Sequence, residues 1–178
     1  MSIPVREITT AMLFNMGEMY SRKHSFPELI EAINTVLRYI NMALINRESN
    51  WVLQTAKVKP KNGKATLPED FAKMKSILVT VDGITSEYSG EYKVIKNAIY
   101  VSDSGEMEYY YTIPMVESID DEIDLPYFLL ELFIRFSTGL IDGTFGKRNI
   151  DQLISTEIDS LAKSSNYPTI ERPMQFYC

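Results

Sequence analysis

Hydrophobic and polar positions divide this chain into a helical region, a β-rich region and a second helical region. The spacing predicts a short helix over Val5–Met16. It then predicts a longer one over about residues 26–45, with Phe26, Leu29, Ile30, Ile33, Val36, Leu37, Ile40 and Leu44 along one face. Arg38, Asn41 and Arg47 fall mostly outside that stripe. Ser25 is the expected N-cap, Pro27 fits the first turn, and Glu28 places a negative charge at the positive end of the dipole.

From Trp51 the period shortens to β-rich runs broken by turn dipeptides, and five or six short antiparallel strands are expected by Thr112. Asn62-Gly63 predicts a tight hairpin between Val52–Val58 and Ala65–Leu67, because both central residues of a type I′ turn need positive φ. Ser76–Val81 should end at a second such turn, Asp82-Gly83. Tyr92–Ile95 and Ala98–Val101 should flank Lys96-Asn97. A last strand, Met107–Ile113, holds Tyr109, Tyr110 and Tyr111, and alternation sends Tyr110 to the face opposite its neighbours.

The helical period returns after an acidic linker, Glu117–Asp124. Asp124-Leu125-Pro126 reads as an N-cap with proline in the first turn. Phe128, Leu129, Leu132, Phe133, Phe136, Leu140 and Ile141 keep the period, and Tyr127, Leu130 and Ile134 make this helix apolar almost all round. Such a helix is either central in the core or at a subunit interface. Asn149 and Gln152 outline a capping box before one more amphipathic helix through Leu153, Ile154, Glu157, Ile158 and Leu161. The fold class is therefore α+β: a helical bundle with an inserted antiparallel β region at about 51–112 and an extended C-terminal arm. Residues 1–165 form one domain, helical over 5–48, β-rich over 51–113 and helical over 125–163. The arm is 166–178.

Composition narrows the function. The 178 residues are 45% hydrophobic and 24% charged, within the range of folded globular chains. The net charge of −6 lies in the last third: residues 113–178 carry five Lys/Arg against eleven Asp/Glu, while both earlier thirds balance. Phosphate backbones are gripped mainly by Lys and Arg, so this balance gives no footprint for tight nucleic-acid binding. One cysteine, Cys178, excludes an intrachain disulfide. Arg6 and Glu7 interrupt the N-terminal stretch where a signal peptide would be apolar, and no window approaches the roughly 18 apolar residues of a membrane span.

Candidate chemistry is sparse. His24 is the only histidine, which removes mechanisms needing two and marks it as an exposed loop residue. Glu117, Asp120, Asp121, Glu122 and Asp124 lack the alternation and central glycine of a calcium loop and read as solvated linker charge. The glycines form no phosphate-binding fingerprint. No catalytic residue, metal site or cofactor is expected, and the chain reads as a non-enzyme.

The order of elements resembles the head-to-tail adaptor family of tailed bacteriophages, which includes tail tubular protein A and related connector proteins. The resemblance runs over residues 5–145. It is carried by the helical pair, the β region opened by Trp51 and containing Leu67-Pro68-Glu69-Asp70-Phe71, the Asp82-Gly83 turn, a Tyr-rich strand running into Ile113-Pro114, and Asp124-Leu125-Pro126 before an apolar helix. It implies a structural virion protein, made in the host cytoplasm, that forms a homo-oligomeric ring, usually of twelve subunits, between the capsid portal and the tail. A downstream tail protein would assemble on the ring, and DNA would pass through it without specific binding, an acidic lumen repelling phosphate. No membrane partner is implied. The alternative is a non-catalytic interaction or regulatory module of a bacterium or phage.

The arm lies outside the resemblance. Pro168 and Pro173 discourage helix, and Tyr167, Ile170, Met174, Phe176 and Tyr177 are costly to leave in water. With Arg172 they are the expected contacts to the portal or a neighbouring subunit. The alternative is that the arm packs on its own domain.

Overall fold

A computed structural model describes residues 2–18, 23–81, 84–146 and 149–165. Its architecture is mixed α+β. Helices α1 (Val5–Asn15) and α2 (Phe26–Asn46) come first, and a run of short strands follows. Helices α3 (Tyr127–Ile141) and α4 (Ile150–Ser165) close the described chain.

The helices share one apolar core. Ile8 and Met12 of α1, Ile33 and Leu37 of α2, Phe133 and Phe136 of α3, and Ile154 and Ile158 of α4 are all buried in it. The start of α2 is fixed as its sequence implies: Glu28 reaches back to accept from the Ser25 amide at 2.7 Å and the Ser25 hydroxyl at 2.8 Å. At its other end Arg47 forks onto Asp159 of α4 at 2.5 and 2.9 Å, and donates to the Ser155 hydroxyl at 2.6 Å. Arg47 and Asn41 thus do not lie idle beyond the apolar stripe. Asn41 is only 3% exposed, and its side chain donates to the Ile113 carbonyl and accepts from the Ile113 amide, both at 2.9 Å.

The β region holds a second, smaller core built around Ile77, Ile99, Met107 and Tyr109. One sheet runs β2 (Leu53–Val58), β8 (Gly105–Tyr111), β4 (Phe71–Val81), β5 (Ile84–Glu87), all antiparallel. A second runs β3 (Lys64–Thr66), β7 (Ala98–Tyr100), β6 (Lys93–Ile95). The tyrosines of β8 divide as alternation requires: Tyr110 enters the helical core and Tyr109 the β core, so this strand joins the two.

The Asn62-Gly63 turn forms, with φ of 53° and 74°, and Lys61 and Lys64 bridge across it. Its arms do not make the predicted hairpin, because β2 pairs with β8 and β3 with β7. Two-residue turn chemistry specifies the local reversal only; β2 gains six paired residues from β8, a longer partner than β3 could offer. Among the described residues the β region contains seven strands rather than five or six. The Asp82-Gly83 turn falls outside the described residues, but Val81 pairs with Ile84 across it.

The acidic linker is more ordered than its charge suggests. Glu122–Asp124 forms β9, antiparallel to β1 (Ser2–Pro4), with Ile3 opposite Ile123. Both isoleucines are buried, and their burial outweighs the poor strand propensity of the flanking acids. Asp124 consequently belongs to a strand, and Pro126 stands in the N-cap position of α3.

Tyr109 reports on the β core. It is 3% exposed, and its hydroxyl donates to Gln54 and Asp70, each at 3.1 Å. Burial, with the Asp70 carboxylate beside it, pushes its pKa up to about 12. A phenol whose folded pKa lies above the unfolded value of about 10 stabilises the fold fully below pH 10 and loses that contribution as pH rises towards 12, about 2–3 kcal/mol in all. In urea titrations at pH 7 and pH 11.5, Tyr109→Phe should lose about 2 kcal/mol less over this interval than the native chain. Equal losses would show that Tyr109 is not protected.

Candidate interaction surface

A groove of about 790 Å³ lies between α1 and α3. The amphipathic periods of the two helices create it. Each turns one face into the shared core, and α3 has more apolar residues than that face can take. Tyr127 is 71% exposed and Phe128 40%, while on α1 Phe14 is 71% exposed. Leu130 and Ile134 are half-buried along the groove, and Ala11 supplies a small residue on the α1 side.

Phe145 closes the far end. Its ring lies so near the Gly139 backbone that a Cβ on residue 139 would stand 2.1 Å from it, so only glycine lets the chain fold back here. The Phe145 amide donates to the Gly139 carbonyl at 2.8 Å, and its ring sits 4.9 Å from that of Phe136. At the near end Trp51 packs on Phe128 with centroids 4.1 Å apart. The polar flank holds Glu131, Asp142 and Arg135, whose guanidinium is paired with Glu157 of α4 at 2.9 Å. Below it the Ser137 and Thr138 hydroxyls are buried, with no hydrogen-bond partner among the described residues. An apolar trough with a few charges on its rim is suited to holding another polypeptide segment.

The sequence-predicted candidates lie elsewhere. His24 is half-buried rather than exposed, and its Nδ1 sits 3.1 Å from both oxygens of Glu18. Glu18 also accepts from the Lys23 amide at 3.0 Å. Burial alone would raise the Glu18 carboxyl, but the Lys23 amide and His24 together hold it below its ordinary value. The pair ties the end of α1 to the approach to α2. Ser25, next in sequence, donates its hydroxyl to Glu28 at 2.8 Å within the cap of α2.

The acidic stretch is divided among separate partners. Asp120 pairs with Arg6 at 2.6 Å, Asp121 accepts from the Glu117 and Ser118 amides at 2.7 and 2.8 Å, and Glu122 accepts from Ser2. Those two backbone bonds hold the Asp121 carboxyl below its usual range. Among the described residues no group of three His, Cys, Asp or Glu is placed to hold a metal ion. No described helix is long and apolar enough to cross a membrane.

No protein-family model matches this chain. A search of curated proteins likewise finds no match.

The arm residues Tyr167, Ile170, Arg172, Met174, Phe176 and Tyr177 lie outside the described residues. The groove itself was only half visible in sequence. An over-apolar α3 signalled a second contact surface, but nothing in the α1 spacing showed that Phe14 would face outwards beside it. In the β region Ile84 of β5 is 72% exposed and Ile95 of β6 51%.

Proposed function

We propose that this chain is a structural ring subunit standing between the capsid portal and the tail of a bacteriophage. The ring would be a passage for DNA and a platform for tail attachment. The observation that carries the reading is the pairing of a helical bundle and a laterally inserted β region with an apolar groove left open on the bundle. Subunits of a ring need such a surface because every one meets other chains on several sides, and heterologous contacts close into a ring when the rotation permits. The order of elements that resembles the adaptor family supplies the expected stoichiometry of twelve and the partners, portal above and tail protein below.

In this reading Tyr167, Ile170, Arg172, Met174, Phe176 and Tyr177 anchor the arm on the portal or a neighbouring subunit, and no catalytic step is involved. Electron microscopy of the protein mixed with a portal ring tests it. Added density with rotational symmetry beneath the portal is expected, and removal of residues 166–178 should abolish it while leaving the melting temperature within a few degrees. Absence of any association between the full chain and portal rings would overturn the proposal. So would normal assembly of the shortened chain, for the role given to the arm.

A further inference from the structure

We infer that in the free subunit the chain's own residues 166–178 fold back into the groove between α1 and α3, so that the arm is stored there before it meets a partner. This goes beyond the ring reading and does not depend on it.

The argument starts from where α4 ends. Helices α3 and α4 run antiparallel about a short connection, and the Arg135–Glu157 pair at 2.9 Å fixes their register. Tyr127 lies eight residues before Arg135, and Ser165 lies eight after Glu157. At about 1.5 Å per residue both are displaced by about 12 Å in the same direction. The last turn of α4 therefore stands level with Tyr127, at the open end of the groove. The fork from Arg47 to Asp159 and the packing of Trp51 on Phe128 place the same end of the bundle independently.

Length and chemistry agree with that position. From Tyr127 to Asp142 the groove runs about 22 Å along α3. The thirteen residues from Asn166 to Cys178 reach at most about 45 Å when extended, enough to leave α4, turn and follow the groove. The walls are helices, which offer no free backbone edge, so an occupant must bind by its side chains. An extended segment with Pro168 and Pro173, short of amide donors and rich in aromatics, suits such walls. On the rim Arg135 is paired with Glu157 and Asp142 accepts from the Thr144 amide at 2.8 Å, so Glu131 is the carboxylate that Arg172 of the arm would meet.

The chain carries its own probes: Trp51, its only tryptophan, stands at the groove entrance, and Cys178, its only cysteine, ends the arm. A thiol-coupled energy acceptor on Cys178 reads the distance to Trp51 in the full chain without any partner. With the arm along the groove Cys178 stands near its far end, about 22 Å from the entrance, so the Trp51 decay should report one narrow range of distances, unchanged on hundredfold dilution or on adding excess unlabelled chain. That range should broaden in both Tyr127→Glu and Glu131→Arg, at groove positions too exposed for either change to disturb folding. Amide exchange across 166–178 should be at least about tenfold slower in the native chain than in these variants. Transfer that drops on mixing with unlabelled chain would assign the groove to a second copy's arm. Transfer and exchange equal in native and variant chains would show an arm that never enters it. Either result overturns the inference, and neither bears on binding to a portal.

Discussion

Replacing Asn41 with leucine is expected to cost about 2–6 kcal/mol of stability, although the two side chains are close in volume. Asn41 projects from the last third of α2 into the core, where its amide copies the pairing of a neighbouring strand: it donates to the Ile113 carbonyl and accepts from the Ile113 amide. Ile113 is itself fully buried, so without Asn41 both backbone groups would stand in apolar surroundings with no water to take over. Each such group costs about 1–3 kcal/mol to leave unmade. Two turns earlier Asn34 makes the same double bond with Val116, at 2.7 and 2.9 Å. It is half-buried, so water can replace it, and Asn34→Leu should cost clearly less. Urea unfolding of the two variants checks the difference. If Asn41→Leu costs no more than Asn34→Leu, the buried backbone pair is not what holds the segment after β8 against α2.

These asparagines also show where sequence reading ends. The apolar period of α2 could be read because burial of one face is written in a local 3.6-residue repeat, and Ser25 with Glu28 marks its start in four residues. Asn41 looked like a solvent position since its partner, residue 113, is 72 residues away and contributes only backbone. The same limit applies to Asn62-Gly63, where the turn follows from two residues but the choice of β8 as partner for β2 is made by the whole sheet. It applies again to Ile3 and Ile123, whose pairing turns an acidic linker into a strand. The α1 wall of the groove, Ala11 and Asn15 with Phe14 exposed beside it, was hidden for a similar cause. Whether Phe14 faces the core or the solvent is decided by where α3 lies, and no spacing within α1 records that.

The apolar surplus of α3 gives the other large effect. Phe133→Ala should destabilise the chain by about 3–5 kcal/mol, whereas Tyr127→Ala on the same helix should change stability by no more than about 0.5 kcal/mol. Phe133 has no exposed surface and lies in the core shared with α1, α2 and α4, so truncation loses its transfer energy and leaves a cavity that three packed helices cannot easily close. Tyr127, one and a half turns earlier, keeps 71% of its surface in water and has correspondingly little to lose. The sequence left two readings for this helix, core or interface, and the structure buries one face in the core while leaving the other, with Tyr127, exposed. Denaturation of both variants by urea, with retained helical circular dichroism, measures the contrast directly. A comparable loss at both positions would mean that Tyr127 is packed in the isolated chain as closely as Phe133, and a small loss at Phe133 would mean that α3 is not the centre of the bundle.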